Sequence, residues 1–247
     1  MSVPTTLALV GTTGGAGTTR LAVELASALA ADGRGVAILD ASFATHGLSD
    51  YVSGTLSPDI TQLVTDEVDE PLSSGLVNLD IDAAGRVAVC PAAAPFERLA
   101  RAMTPDAAQA FEGRISDAAN RFDHVIVDTP PIASNPAVAA ATTCERVALV
   151  APASVRGADA VSRVRARVAD VGASVDAVVS TFGALDDADV VIPESEYAAV
   201  TEAPAANEDD ELAAGVVAAA SVLLDIELSA ITESGGVLSS VEGYVRR

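Results

Sequence analysis

Between residues 11 and 17 the chain carries four glycines, Gly11, Gly14, Gly15 and Gly17, followed at once by Thr18 and Thr19. The four residues before them, 7–10, are all apolar and read as a short buried strand. From residue 21 onward Leu21, Leu25 and Leu29 recur every four residues, the stripe of a helix ending near Gly33. Strand, glycine loop and helix in that order make a phosphate cradle, because glycines let backbone N–H groups converge on an anion at the positive end of a helix. The residues that would meet the anion are Gly14, Gly15, Ala16, Gly17, Thr18 and Thr19. Two acids close later apolar runs: Asp40 follows 36–39 and Asp128 follows 125–127. Open α/β sheets place their ligand sites at such carboxyl edges.

The run TGGAGTTR, Thr13 to Arg20, resembles the deviant phosphate loop of the MinD/ParA family of P-loop ATPases, whose pattern reads KGGxGKTT. Gly14, Gly15, Gly17 and Thr19 match it. Thr13 stands where the signature lysine would be and Thr18 where the phosphate-reaching lysine would be. All 14 basic residues are arginines, so the chain has no lysine to substitute. The strand ending DASFATHGL resembles the family's DxD edge: Asp40 matches the first acid, and Ser42 replaces the second, which orients the attacking water. HVIVDTPP resembles the Walker B strand and the start of the second switch, with Ile132 in place of the glycine after the two prolines. An acid at that strand end sits beside the loop and holds magnesium, usually through water.

The resemblance spans about residues 7–225. It implies an α/β fold with three layers, a doubly wound and mainly parallel sheet with helices on both faces, in a domain 1–225 followed by a tail, 226–247. It also implies a metal set of Thr19, Asp40 and Asp128, and ATP or ADP with Mg2+ as a cofactor bound weakly or not at all. Ser180, Thr181 and Phe182 stand where the family carries an Asn-Arg pair near the adenine, and Arg156 falls in a Ser-x-Arg segment that opens a helix.

Composition narrows the function classes. With 247 residues and 50% hydrophobic content the chain can bury one domain core. Its formal charge of −21 disfavours direct binding to nucleic acid or to anionic lipid. An acidic, lysine-free, aromatic-poor composition resembles that of cytoplasmic proteins from salt-loving organisms, where a Debye length of about 3 Å at molar salt screens self-repulsion. Drift toward such a composition would have put arginine at position 18, so threonine there points to loss of the catalytic cation. Cys90 and Cys144 have no metal-ligand spacing and read as buried hydrophobes; His46 and His124 lie far apart. With no basic region before the first apolar run, and no run near the roughly 18–20 residues that span a bilayer, the expectation is a soluble, cytoplasmic protein.

Further elements follow from pattern. An N-cap at Ser57 or Asp59 opens a short helix, and 48–79 is otherwise loop without evident chemistry. Strands are expected over 87–91, 147–152, 176–183 and 190–195. Thr104 before Pro105 caps an amphipathic helix, Val161, Val164 and Val168 form the buried face of another, and Arg163, Arg165 and Arg167 its solvated face. The Ala/Pro/acid stretch 202–211 reads as a mobile loop, with a helix from about 210 to 225. At the C-terminus Leu238, Val241 and Val245 share one helical face beside Arg246 and Arg247, a pattern that suits packing on the domain or a partner better than a membrane anchor.

Three functional readings follow. The first is a MinD/ParA-like protein with a degenerate nucleotide site, acting with a protein partner or as a homodimer in binding, positioning or scaffolding, with weak or no ATP hydrolysis. The second is an active ATP-dependent switch drawing its cation from Arg20, Arg156 or a partner. The third is an NAD(P)-binding oxidoreductase, since Gly11, Gly14 and Gly17 also spell GxxGxxG and Asp40 ends the second strand.

Overall fold

The computed structural model describes residues 5–54, 56–65, 68–197, 199–206, 210–228 and 243–245. Its centre is an eight-stranded sheet built from β1 (Thr5–Gly11), β2 (Gly35–Asp40), β3 (Val77–Asn78), β4 (Arg86–Cys90), β5 (His124–Thr129), β6 (Arg146–Pro152), β7 (Ala177–Thr181) and β8 (Val190–Ile192). The spatial order is β3-β4-β2-β5-β1-β6-β7-β8, parallel throughout except for the β3–β4 pair. The strands are short, nearly continuous apolar runs because both faces of the sheet are covered.

The side-chain period of two divides each strand between two cores. Leu7, Leu9, Val36 and Ile38 pack beneath α1 (Thr18–Ala31) and α7 (Asp210–Leu224). Ala8, Val10, Ala37 and Leu39 pack on the other face, beneath α4 (Pro105–Ala119), α5 (Asn135–Thr143) and α6 (Val155–Asp170), together with α2 (Ile60–Val64) and α3 (Phe96–Ala102). The expected three-layer architecture is therefore present. In α6 the buried face includes Val161, Val164 and Val168, with Arg163, Arg165 and Arg167 exposed. Arg167 donates to the Ile132 carbonyl at 3.3 Å.

Caps fix where helices begin. Asp59, rather than Ser57, caps α2: its carboxylate accepts from the Thr61 and Gln62 amides, and Gln62 reciprocates on the Asp59 amide. Thr104 caps α4 by accepting from the Ala107 amide, with proline at N1.

Two expectations need correction. The stretch read as a mobile loop is anchored at Ala205 and Ala206, whose amides donate to the buried Glu24 carboxylate at 2.9–3.1 Å; residues 207–209 lie outside the described residues. At the C-terminus Val245 forms an antiparallel bridge with Val190, and the Val191 amide donates to the Tyr244 carbonyl at 3.0 Å, so Val245 belongs to an edge pairing and not to a helical face. Leu238, Val241, Arg246 and Arg247 lie outside the described residues.

Candidate functional site

The carboxyl ends of β1, β2 and β5 meet at one place. β1 ends in Gly11, the glycine loop follows, and α1 opens at Thr18. A backbone bond from the Leu21 amide to the Gly17 carbonyl at 2.9 Å opens that helix, and the amides of a helix's first turn have no carbonyl within the helix to pair with. Gly15 (φ 73°) and Gly17 (φ 82°) hold the left-handed backbone that this turn requires. A Cβ added at Gly14 or Gly15 would meet nothing within 4 Å, so the face of the loop is open. The loop is anchored from outside: Thr12 donates from its amide and its hydroxyl to the Val150 carbonyl, at 2.9 and 3.1 Å, and Thr181 Oγ1 donates to the Ala16 carbonyl at 2.8 Å. These six residues, Gly14 to Thr19, make up the turn between β1 and α1 and the first two residues of that helix.

The side chains around the cradle are neutral or acidic. Thr18 folds back toward the strand, its Oγ1 lying 2.7 Å from where a Cβ on Gly11 would be. Thr19 Oγ1 donates to Asp128 Oδ2 at 2.6 Å, so the second threonine and the β5 acid, 109 residues apart, meet directly. Asp40 and Asp128 are register partners on β2 and β5, both buried. Asp40 accepts from the Ser42 amide at 2.7 Å and the Ala92 amide at 3.1 Å, one on each carboxylate oxygen. Burial, then the Asp128 charge, push the Asp40 carboxyl up to about 8 despite those two donors. Burial raises Asp128 to about 6 and the Thr19 hydroxyl holds it down. Both carboxyls therefore hold a proton more readily than exposed carboxyls do. Ser42 contributes its backbone here: its amide holds Asp40, and its carbonyl accepts from Thr45 and His46.

Arg20 points elsewhere. It pairs with Glu24 at 2.6 Å and donates to the Tyr197 and Ala199 carbonyls at 2.9 and 3.1 Å. Glu24 is buried, and the pair ties α1 to the segment after β8. The sequence reading missed this latch, although an acid three residues after Leu21 on the apolar stripe was its signal. Beside the loop lies a cleft of about 190 Å³, lined by Gly17, Arg20, Thr181, Phe182, Pro193 and Tyr197 among others. It too went unread, because its walls come from five separate stretches of chain.

Elsewhere, Asp59 is a buried acid paired with Arg98 at 2.7 Å, so the stretch 48–79 holds a buried ion pair where no chemistry was expected. Cys90 and Cys144 are buried free thiols; burial raises both, Cys144 to about 12. Among the described residues no three His, Cys, Asp or Glu side chains gather as a metal-holding group. No helix among them is long and apolar enough to cross a membrane.

No protein-family model matches the chain, and no curated protein sequence matches it either. Solved structures do. The cell division ATPase MinD of Pyrococcus furiosus superposes with a TM-score of 0.72 over 86% of this chain and 95% of its own, at 20% identity. The septum site-determining protein MinD of Pyrococcus horikoshii, complexed with Mg-ADP, gives 0.72 over 86% and 93% at 18% identity. An ATP complex of a Cyanothece McdA variant gives 0.63 over 100% and 99% at 17% identity. The chain has the MinD/ParA-like P-loop fold. That fold corrects the oxidoreductase reading: a dinucleotide fold sets its second strand directly beside the first, whereas here β5 separates β1 from β2. In this arrangement the β5 acid, Asp128, reaches Thr19 at the end of the glycine loop.

Proposed function

We propose that the chain is a MinD/ParA-like protein that keeps the shape of a nucleotide site, has lost efficient ATP hydrolysis, and works by binding a protein partner or a second copy of itself. One observation carries this reading: at the start of α1, where a cation would cross the loop to a phosphate, the neutral Thr18 turns back over Gly11. Phosphoryl transfer is driven almost wholly by positioned charge, so a site without the loop cation and without the water-orienting acid lacks most of what lowers the barrier. Arg20, the arginine nearest the loop in sequence, supports the same reading because Glu24 and two carbonyls hold it.

The residues present still suit a phosphate and a magnesium ion. The loop amides offer donors to an anion, and Thr19 with Asp128 offers oxygen to a hard cation that completes its shell with water and phosphate. Mg2+ there would neutralise phosphate charge. Asp40, held by two amides, positions the chain after β2.

The test is phosphate release from Mg-ATP in molar KCl, beside calorimetry with Mg-ATP and Mg-ADP. The expected outcome is release at the background rate, unchanged in Asp128→Asn. Hydrolysis that Asp128→Asn abolishes would establish the active-switch reading instead.

A further inference from the structure

Three observations fall on Phe182. Its backbone is left-handed, φ 58°, a conformation that bulky side chains avoid and that persists only where the surroundings enforce it. Its ring is 53% exposed, one of few large apolar side chains so placed among the described residues. The ring leans on the loop, its edge 3.4 Å from where a Cβ on Gly17 would be, and walls the cleft beside it. The turn is pinned on both sides: Ser180 Oγ donates to the Gly183 carbonyl at 2.7 Å, and Thr181 Oγ1 donates to the Ala16 and Ala151 carbonyls at 2.8 and 3.3 Å. The fold thus tolerates backbone strain to keep an aromatic face at the junction of an apolar-walled cleft and an anion cradle.

We propose that Phe182 is the platform on which the base of a nucleoside phosphate stacks, and that the site takes purine nucleotides without reading which base it holds. The inference rests on the reading of the loop as a phosphate cradle. Stacking needs only a π-face, which every base has. Reading a base needs donors and acceptors held free for it, and several beside the ring are engaged by protein: Ser180 and Thr181 as above, Arg20 by Glu24 and two carbonyls, Glu24 by the Ala205 and Ala206 amides; Tyr51, Ser195 and Tyr197 line the other walls. Glu194 lines the cleft at its solvent side and is exposed.

The experiment is calorimetry in molar KCl with Mg-ADP, Mg-GDP and inorganic tripolyphosphate, on the full chain and on Phe182→Asn. Asparagine accepts the left-handed backbone, so this variant removes the ring without straining the turn. Expected are ADP and GDP affinities within about threefold of each other, both weakened about tenfold in Phe182→Asn, with tripolyphosphate affinity unchanged. The proposal is overturned by a preference above about tenfold for one purine, by nucleotide affinity that Phe182→Asn leaves intact, by an equal loss for tripolyphosphate, or by no nucleotide binding at all. Efficient hydrolysis would sink the preceding reading alone; discrimination between bases would sink this one alone.

Discussion

The loop after β1 and the segment after β8 face each other across the start of α1, and they use charge in opposite ways. The loop has left-handed glycines and an open face, and among the described residues the side chains at its end are the neutral Thr18 and Thr19. The segment has no such backbone, yet it takes the basic group of the first helical turn, Arg20, and the buried acid one turn on. In this molecule the charges nearest the phosphate cradle hold chain to chain. Glycines and strand order therefore preserve the shape of a site independently of the side chains that would give it chemistry.

The contrast can be broken most forcefully at Glu24. Glu24→Leu leaves the Ala205 and Ala206 amides and the Arg20 Nε–H without their acceptor, and should lower stability by about 3–5 kcal/mol in denaturant titration. An unchanged midpoint would mean that the latch holds nothing. Next in size is a pH effect on the Asp40–Asp128 pair. Both carboxyls are raised on folding, so the folded state binds more protons than the unfolded chain from about pH 4 to about pH 8, and stability should fall as pH rises through that window. The fall should be seen in denaturant titrations at constant molar KCl, and Asp40→Asn should flatten it. Thr19→Val removes the hydroxyl donor to buried Asp128 and should cost about 2 kcal/mol, with the Asp128 carboxyl rising further. The smallest effect sharpens the comparison directly: Thr18→Lys should tighten Mg-ADP binding about tenfold in calorimetry while phosphate release stays at background, because Ser42 is unchanged.

The sequence disclosed those parts of the fold that depend on near neighbours. The glycine loop, the strand acids Asp40 and Asp128, the caps at Asp59 and Thr104 and the α6 valine face are short-range patterns, each with a local physical cause. Two helices escaped it: α5 is an alanine-rich run in which no apolar stripe stands out, and α3 is seven residues after a proline-bounded stretch. The loop between β1 and α1, with its left-handed glycines, was legible as a turn from its residues. The cleft beside it was not legible, because the Glu24 contacts to Ala205 and Ala206 join positions about 180 residues apart, and because a phenylalanine in a left-handed turn carries no signature in the chain.

The pairing of Val245 with Val190 has a bearing on assembly. β8 is the last strand on its side of the sheet, and an outermost strand offers a row of unanswered donors and acceptors to any neighbour that can align with it. By laying Tyr244 and Val245 along that margin the molecule answers part of the row itself, so growth of one sheet onto another is obstructed there. Copies that meet are thereby steered away from this border and toward surfaces where side chains, not bare backbone, choose the contact.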